Sequence, residues 1–235
     1  MTGTLYGVGL GPGDPELITV KAYRVLKEAD VIAFPKKMKG AKSYALAIAE
    51  HYVDQRQKEM LGLVFPMTKD REQLDRQWNK TVADVWERLE QGRSVAFVTE
   101  GDPLLYSTFI HLMRLMQELH PEVPVQVVPG ISSANGTAAR LGTPLADGDE
   151  RFAIVPATSN EADMRQALEQ HDCVVFIKVA KVLDMMIGLL RELRLTDKAV
   201  VVTKATSDEE RVYDRVEELL GAELEYLTLM VVRKS

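Results

Sequence analysis

The sequence predicts an α/β protein of two α/β domains, an N-terminal one on a mostly parallel sheet (residues 1–145) and a C-terminal one on a mixed sheet (residues 146–235). Three observations carry this. Through the first half, short β-rich runs alternate with amphipathic helical stretches, as in parallel strands joined by helical crossovers. A turn-rich segment, GTPLADGDE at residues 142–150, interrupts the pattern, which then restarts. Near the end, two strand-like runs lie too close in sequence for a helical crossover and suit antiparallel pairing.

In chain order, residues 4–10 read as a strand and residues 15–29 as a helix, with Ile18, Ala22, Val25, Leu26 and Ala29 on one face. Asp14 and Pro15 supply an N-cap and a first helical residue. Residues 31–34 are a second strand, 43–51 a helix and 60–65 a third strand. A long charged helix over 70–91 stops at Gly92. A strand at 94–99, an apolar helix at 104–119, a strand at 123–128 and a small-residue helix at 132–141 complete the first half. Beyond residue 150, strands are expected at 152–156, 174–178 and 199–204. A helix carries Val182, Met185, Met186, Leu189, Leu190 and Leu193, whose spacing marks a packing face. The two final strands are expected at 211–216 and 226–233.

Bulk properties bound the function. A chain of 235 residues, 46% hydrophobic and 27% charged, has the balance of an ordinary soluble globular protein. Its net charge of -6 gives no global basic footprint for nucleic acid. No apolar run approaches the roughly 18 residues of a membrane helix. The start lacks the layout of a secretory signal. Cys173 is the single cysteine and reads as core, and the four histidines show no metal-ligand spacing. The plain expectation is a cytoplasmic protein that uses neither membrane nor nucleic acid and holds no metal.

The chemistry lies in loops. The segment GVGLGPGDP at residues 7–15 joins a strand to a helix, where glycines let the backbone approach a ligand closely. The dinucleotide fingerprint G-x-G-x-x-G fails here: from Gly7 its third glycine falls on Pro12, and from Gly9 on Asp14. The acid expected at the end of the second strand is replaced by Phe34-Pro35-Lys36-Lys37, which argues against a nucleotide-binding dehydrogenase. A phosphate loop fails as well, because Asp14 follows Gly13 and would repel phosphate. The loop suits a ligand without phosphates. Two further loops, VTEGDP (98–103) and VPGISS (128–133), also follow strands and precede helices. Three such loops converge on the carboxyl edge of a parallel sheet, where open α/β sheets bind ligands. Asp102 reads both as a helix cap and as an acceptor for an amino or hydroxyl group. Ser132 and Ser133 offer hydroxyls and helix N-terminal N–H groups to a carboxylate.

Together these segments resemble the tetrapyrrole methylase family of class III methyltransferases. Its members carry G-x-G-P-G-D-P-x-L-[LI]-T, G-D-P and V-P-G-[IV]-[ST]-S loops in this order, matched here by GLGPGDPELIT (9–19), EGDPLLYS (100–107) and VPGISS (128–133). Second-domain features match through VVFIK (174–178), TKATSDEERV (203–212) and LTLMVV (227–232), so the resemblance spans essentially the whole chain. The stretches ITVKAYRVLKEADVI, FPMTKD, FIKVAK and YLTLMVVRK are similar to the branch that methylates C20 of precorrin-2 or cobalt-factor II. Other branches, such as uroporphyrinogen III C-methyltransferases, and a non-catalytic S-adenosylmethionine-binding module are the competing readings.

The resemblance implies a cobalamin-pathway methyltransferase, commonly a homodimer, with S-adenosyl-L-methionine held between the two domains and S-adenosyl-L-homocysteine as product. It implies cofactor contacts at Pro12, at Glu100, Gly101, Asp102 and Leu105, at Ser132 and Ser133, and at Lys178, Ala205 and Thr228. Many relatives have methionine at the position of Lys178. Methyl transfer needs donor and acceptor aligned and dry more than it needs a nucleophile–base pair, and none is apparent. The reduced tetrapyrrole carries many carboxylates, so an acidic protein needs a local basic patch. Lys36, Lys37, Lys39 and Lys42 are read either as that substrate rim or as a solvated lysine loop. Tyr106 and Glu100 fall near the same edge, with Tyr106 the candidate substrate contact.

Overall fold

In the computed structural model, residues 1–36, 43–65, 70–157 and 160–234 are described. They form two compact units, Met1–Ser132 and Ser133–Ser235.

The first unit is built on strands β1 (Leu5–Gly9), β2 (Val31–Lys36), β3 (Glu59–Val64), β4 (Val95–Thr99) and β5 (Val125–Val128). All pair in parallel, in the order β3-β2-β4-β1-β5. Alternate residues of each strand face opposite sides, and each side is covered by helices. On one side Val8, Ile32, Phe34, Ala96 and Val98 pack against α1 (Val20–Glu28) and α2 (Tyr44–Ala49). On the other, Leu5, Val31, Ala33, Val95 and Phe97 pack against α3 (Arg71–Leu89) and α4 (Phe109–Leu119).

Local chemistry sets the helix ends. Ser43 and Asp70 cap α2 and α3 by accepting from Leu46 N–H and Gln73 N–H. Gly92, at φ 79°, turns the chain after α3. Two helices are shorter than expected. Asp14 caps only a single 3-10 turn, Pro15–Leu17; Ile18 is extended, and Thr19 becomes the true cap of α1 by accepting from Ala22 N–H at 3.1 Å. Residues 104–108 are not helical. Asp102 turns the chain instead, and Tyr106 adopts φ 54°, outside the helical region.

The second unit opens with α5 (Ser133–Leu141), whose Ala134 is buried with Cys173, Val175, Val202, Leu229 and Val231. Its sheet runs β6-β7-β10-β8-β9, from β6 (Phe152–Pro156), β7 (Cys173–Ile177), β8 (Ala199–Thr203), β9 (Arg211–Tyr213) and β10 (Thr228–Arg233). The β6–β7 pair is parallel and the others antiparallel, so the sheet is mixed as expected. The last two strands are both antiparallel members of the sheet, but not as a pair. The chain makes the 3-10 turn Val216–Leu219 after β9, and β10 then inserts between β7 and β8. On the other face, α6 (Glu161–Gln170) and α7 (Leu183–Glu192) bury Met164, Leu168, Met186, Ile187 and Leu190 against Val174, Phe176, Val201 and Met230. Cys173 is fully buried, and burial pushes its thiol pKa up, so it is packing rather than reactive.

Candidate functional site

The adjacent strands β4, β1 and β5 run in one direction, so their following loops leave the same edge of the first sheet. The loops then interlock through backbone. Leu10 N–H donates to Thr99 O at 3.0 Å, and Gly101 N–H donates to Gly11 O at 2.7 Å. The third loop closes onto both. A Cβ on Gly130 would lie 2.2 Å from Gly101 O and 2.8 Å from Gly9 Cα. A Cβ on Gly9 would lie 2.6 Å from both Gly101 O and Gly130 N. Real side chains do not approach that closely, so these glycines exist first to let three backbones touch. Gly101 also takes φ 65°, a left-handed conformation that costs little only without a Cβ.

Asp102 locks the assembly. Its Oδ1 accepts from Leu104 N–H at 2.8 Å, which makes the turn after β4. Its Oδ2 accepts from Gly130 N–H at 3.0 Å, which ties the second loop to the third. Both oxygens of a partly exposed carboxylate therefore serve the shape of the rim. Sequence reasoning assigned Asp102 to a cap or a ligand; the crosslink to Gly130, 28 residues away, has no local signal.

The other expected residues are distributed as follows. Pro12 is buried beside the Gly11–Gly101 bridge. Glu100 and Gly101 are partly exposed on the rim, Leu105 is 39% exposed, and Ser132 is buried immediately before α5. Thus Pro12, Glu100, Gly101, Asp102, Leu105 and Ser132 come together on one edge. Ser133, the first residue of α5, belongs to the second unit.

Within that unit, Lys178, Ala205 and Thr228 also share one sheet edge. Lys178 follows β7 and Ala205 lies just past β8; Thr228 begins the antiparallel β10 opposite Thr203. Ala205 and Thr228 are buried, and the Thr228 hydroxyl donates to Glu225 O at 2.5 Å. Lys178, Lys204 and Thr206 all take positive φ, at 61°, 45° and 68°. For a β-branched residue such as Thr206 this is a true outlier. Its N–H donates to the Glu210 carboxylate at 2.6 Å, and that carboxylate also pairs with Arg140 at 2.6 Å. The sequence does not announce this arrangement, because none of the strained residues is glycine.

Lys36 ends β2, the neighbour of β4, so it reaches the same edge as the loops of the first unit. Its Nζ lies 5.0 Å from the centroid of the Phe34 ring. Gly62, opposite Phe34, makes room: a Cβ there would lie 2.8 Å from Lys36 Cε. Lys37, Lys39 and Lys42 lie outside the described residues. Among the described residues, no cluster of metal-ligating side chains is present and no helix is long and apolar enough to cross a membrane.

The rim is chemically selective. Residues 9–14, 100–107 and 128–132 contain Asp14, Glu100 and Asp102 but no lysine or arginine. Loops with this charge balance disfavour phosphate.

Fold and rim define the class: a two-domain α/β protein with a backbone-lined, phosphate-averse edge on its parallel sheet. The model of the Tetrapyrrole (Corrin/Porphyrin) Methylases matches residues 4–220, and the chain belongs to this family. It is 34% identical to the cobalt-precorrin-2 C(20)-methyltransferase of Salmonella typhimurium, over 100% of this chain and 98% of that protein. It is 35% identical to the precorrin-2 C(20)-methyltransferase of a Sinorhizobium species, over 87% of this chain and 84% of that one. Its fold is similar to uroporphyrin-III C-methyl transferase from Thermus thermophilus complexed with S-adenyl homocysteine, with a TM-score of 0.68, 25% identity, and coverage of 99% and 98%.

Proposed function

We propose that this protein methylates a reduced tetrapyrrole at C20, using S-adenosylmethionine, as a step of cobalamin biosynthesis. The observation that carries the reading is the meeting at one sheet edge of three glycine loops that themselves carry acids and no lysine or arginine. When bound there, S-adenosylmethionine supplies an electrophilic methyl group on a cationic sulfur. The residues of this chain hold and orient. Backbone groups of Gly101 and Leu105, with Pro12 and Glu100, form the cradle; Ser132 and Ser133 at the start of α5 suit the methionyl carboxylate. Asp102 keeps the cradle closed. Lys178, Ala205 and Thr228 are proposed as further cofactor contacts. The residues that would hold the cofactor would keep its methyl group in line with C20, so that sulfur would keep the bonding electron pair, ring π electrons would form the new bond, and the product would lose one proton.

Lys36 and Lys37 are proposed to meet substrate carboxylates. A cobalt-containing substrate is favoured by the full-length match to the Salmonella protein, and the metal-free tetrapyrrole is the second reading, favoured by the Sinorhizobium one. A cytoplasmic homodimer is part of the proposal. The test is anaerobic incubation with S-adenosylmethionine carrying a labelled methyl and, in turn, cobalt-factor II, precorrin-2 and uroporphyrinogen III. A single added methyl at C20 of either of the first two is expected. Methylation of uroporphyrinogen III alone, or binding without turnover, would overturn it. Light scattering across a size-exclusion column reports the dimer.

A further inference from the structure

The turn that follows β8 is fixed by a buried carboxylate. Lys204 N–H donates to Leu227 O at 2.8 Å, and Ser207 N–H donates back to Lys204 O at 3.1 Å. Glu210 N–H donates to Ser207 O at 3.0 Å, and β9 begins at the next residue. The Glu210 side chain folds into this turn and is 8% exposed. Its Oε2 accepts from Thr206 N–H at 2.6 Å, and its Oε1 accepts at 2.6 Å from Nε of Arg140, in the last turn of α5. One carboxylate therefore ties the turn to the helix that starts at Ser133. A simple connection between antiparallel strands needs none of this. Glycine at position 206 would take φ 68° without help, whereas threonine crowds its branched Cβ there, and a buried carboxylate costs free energy unless it is paired. What the arrangement secures is Ala205. It lies between the left-handed Lys204 and Thr206, is 5% exposed, and is buried with Val175, Val202 and Leu229.

We infer that Glu210 is a positioning residue for the cofactor: through Thr206 N–H it holds the backbone of residues 204–206 in one conformation, and so sets the place of Ala205. The inference rests on the reading of Ala205 as a cofactor contact and deepens it. Glu210 is not itself the contact, since its side chain is buried and each oxygen already accepts a hydrogen bond. Its effect is preorganisation. Without the carboxylate, residue 206 is free to leave the left-handed region, and the turn then has to be ordered each time the ligand binds. That ordering cost is read as lost affinity. Arg140 has the lesser part. Its side chain is 62% exposed, so solvent screens its charge, and it steadies the carboxylate without touching the turn.

The variants Glu210→Ala and Glu210→Gln test this. Alanine removes both bonds; glutamine keeps an oxygen that accepts from Thr206 N–H while the exposed Arg140 turns to water. Ile187→Val, a buried change in α7 on the opposite face of the sheet, is the stability control. The readouts are S-adenosylhomocysteine affinity by calorimetry, melting temperature, and hydrogen exchange of residues 203–210 with and without S-adenosylhomocysteine. In the parent, the ligand should slow exchange at residues 204–206. Glu210→Ala should bind about tenfold or more weakly, and Glu210→Gln within about threefold of the parent. Ile187→Val should melt a few degrees lower, as Glu210→Ala does, yet bind as the parent does. Parent affinity in Glu210→Ala overturns the role. So does an equal loss in Ile187→Val, which makes the effect one of general stability, or in Glu210→Gln, which takes it away from the Thr206 bond. Should Glu210→Ala not fold, exchange in the parent decides: a ligand that binds without slowing residues 204–206 overturns the role. A parent that binds no S-adenosylhomocysteine overturns the cofactor reading and the role of Glu210 with it; a parent that binds, matched by Glu210→Ala, overturns the role alone.

Discussion

The two ends of the first sheet are built on different principles. At the amino end, side chains hold the strands. Asp30, just before β2, accepts from Ser94 N–H and Ser94 Oγ, each at 2.7 Å, just before β4. Glu59, the first residue of β3, pairs with Arg88 at 2.9 Å and with Arg93 at 2.5 Å. At the carboxyl end, backbone touches backbone through Gly9, Gly11, Gly101 and Gly130, and one carboxylate, Asp102, ties the result together. The amino end uses charge to fasten β2, β3 and β4. The carboxyl end gives up side chains so that three backbones can touch, at the edge proposed to face the cofactor. Strain divides the same way: in the first unit, among the described residues, the only non-glycine residue at positive φ is Tyr106, at the carboxyl end. On the proposed reading, one sheet separates stability from function along the length of its strands.

That division predicts unequal responses to equally small changes. The largest is expected from Gly130→Ala. The new methyl falls 2.2 Å from Gly101 O, a backbone atom that cannot swing away, so the third loop must move off the second. Overpacking of this kind costs about 1–3 kcal/mol. The displaced loop should also lower S-adenosylhomocysteine affinity by at least about tenfold in calorimetry. Full affinity in a folded Gly130→Ala protein would show that the loop contact does not shape the cradle.

Asp102→Ala comes next. It removes the turn at Leu104 and the tie to Gly130 while adding no bulk. Hydrogen bonds to a charged group are worth about 1.5–3 kcal/mol when buried, and Asp102 is partly exposed, so a loss of about 1 kcal/mol, or a few degrees in Tm, is expected. The cofactor affinity should fall by more than that stability loss explains. Asp102→Asn separates the two oxygens: the amide nitrogen cannot accept from Gly130 N–H, whereas the remaining oxygen can still serve Leu104. If Asp102→Asn binds S-adenosylhomocysteine as the parent does, the tie to Gly130 is not what organises the rim.

Much of this was legible in the sequence, for reasons that differ by residue. The strand–loop–helix sequence around residues 7–15, 98–103 and 128–133 placed three loops on one edge, because parallel topology leaves no other arrangement. Cys173 and Met186 were readable as core from their apolar surroundings. What escaped were effects of long-range approach. The pattern at residues 104–108 is helical by composition, but Asp102 and the left-handed Tyr106 override it. The glycines were read as making room for a ligand; Gly9 and Gly130 make room for each other, and Gly7 for the Phe109 ring, 2.2 Å from where its Cβ would be. The separation of β9 from β10 depends on β10 entering between β7 and β8, which no local pattern encodes.

The smallest effect is expected at the amino end, and it should leave the ligand untouched. Burial pushes the Glu59 carboxyl pKa up, but hydrogen bonds and charge from Arg88 and Arg93 outweigh this, and the net shift is downward. A carboxylate whose folded pKa lies below its unfolded value stabilises the fold above the unfolded pKa, and that contribution fades as pH falls through the folded one. Glu59→Gln keeps the shape and removes the charge. Because all three side chains are roughly a quarter to a third exposed, the cost at pH 7 should be about 1 kcal/mol or less. Urea denaturation at pH 7 and at successively lower pH should show the gap between parent and variant narrowing as Glu59 takes up its proton. S-adenosylhomocysteine affinity should be equal in the two proteins at pH 7. A stability gap that persists in acid would mean that Glu59 acts through packing rather than charge. A Glu59→Gln protein with weakened cofactor binding would mean that the two ends of the sheet are coupled and that the division of labour between them does not hold.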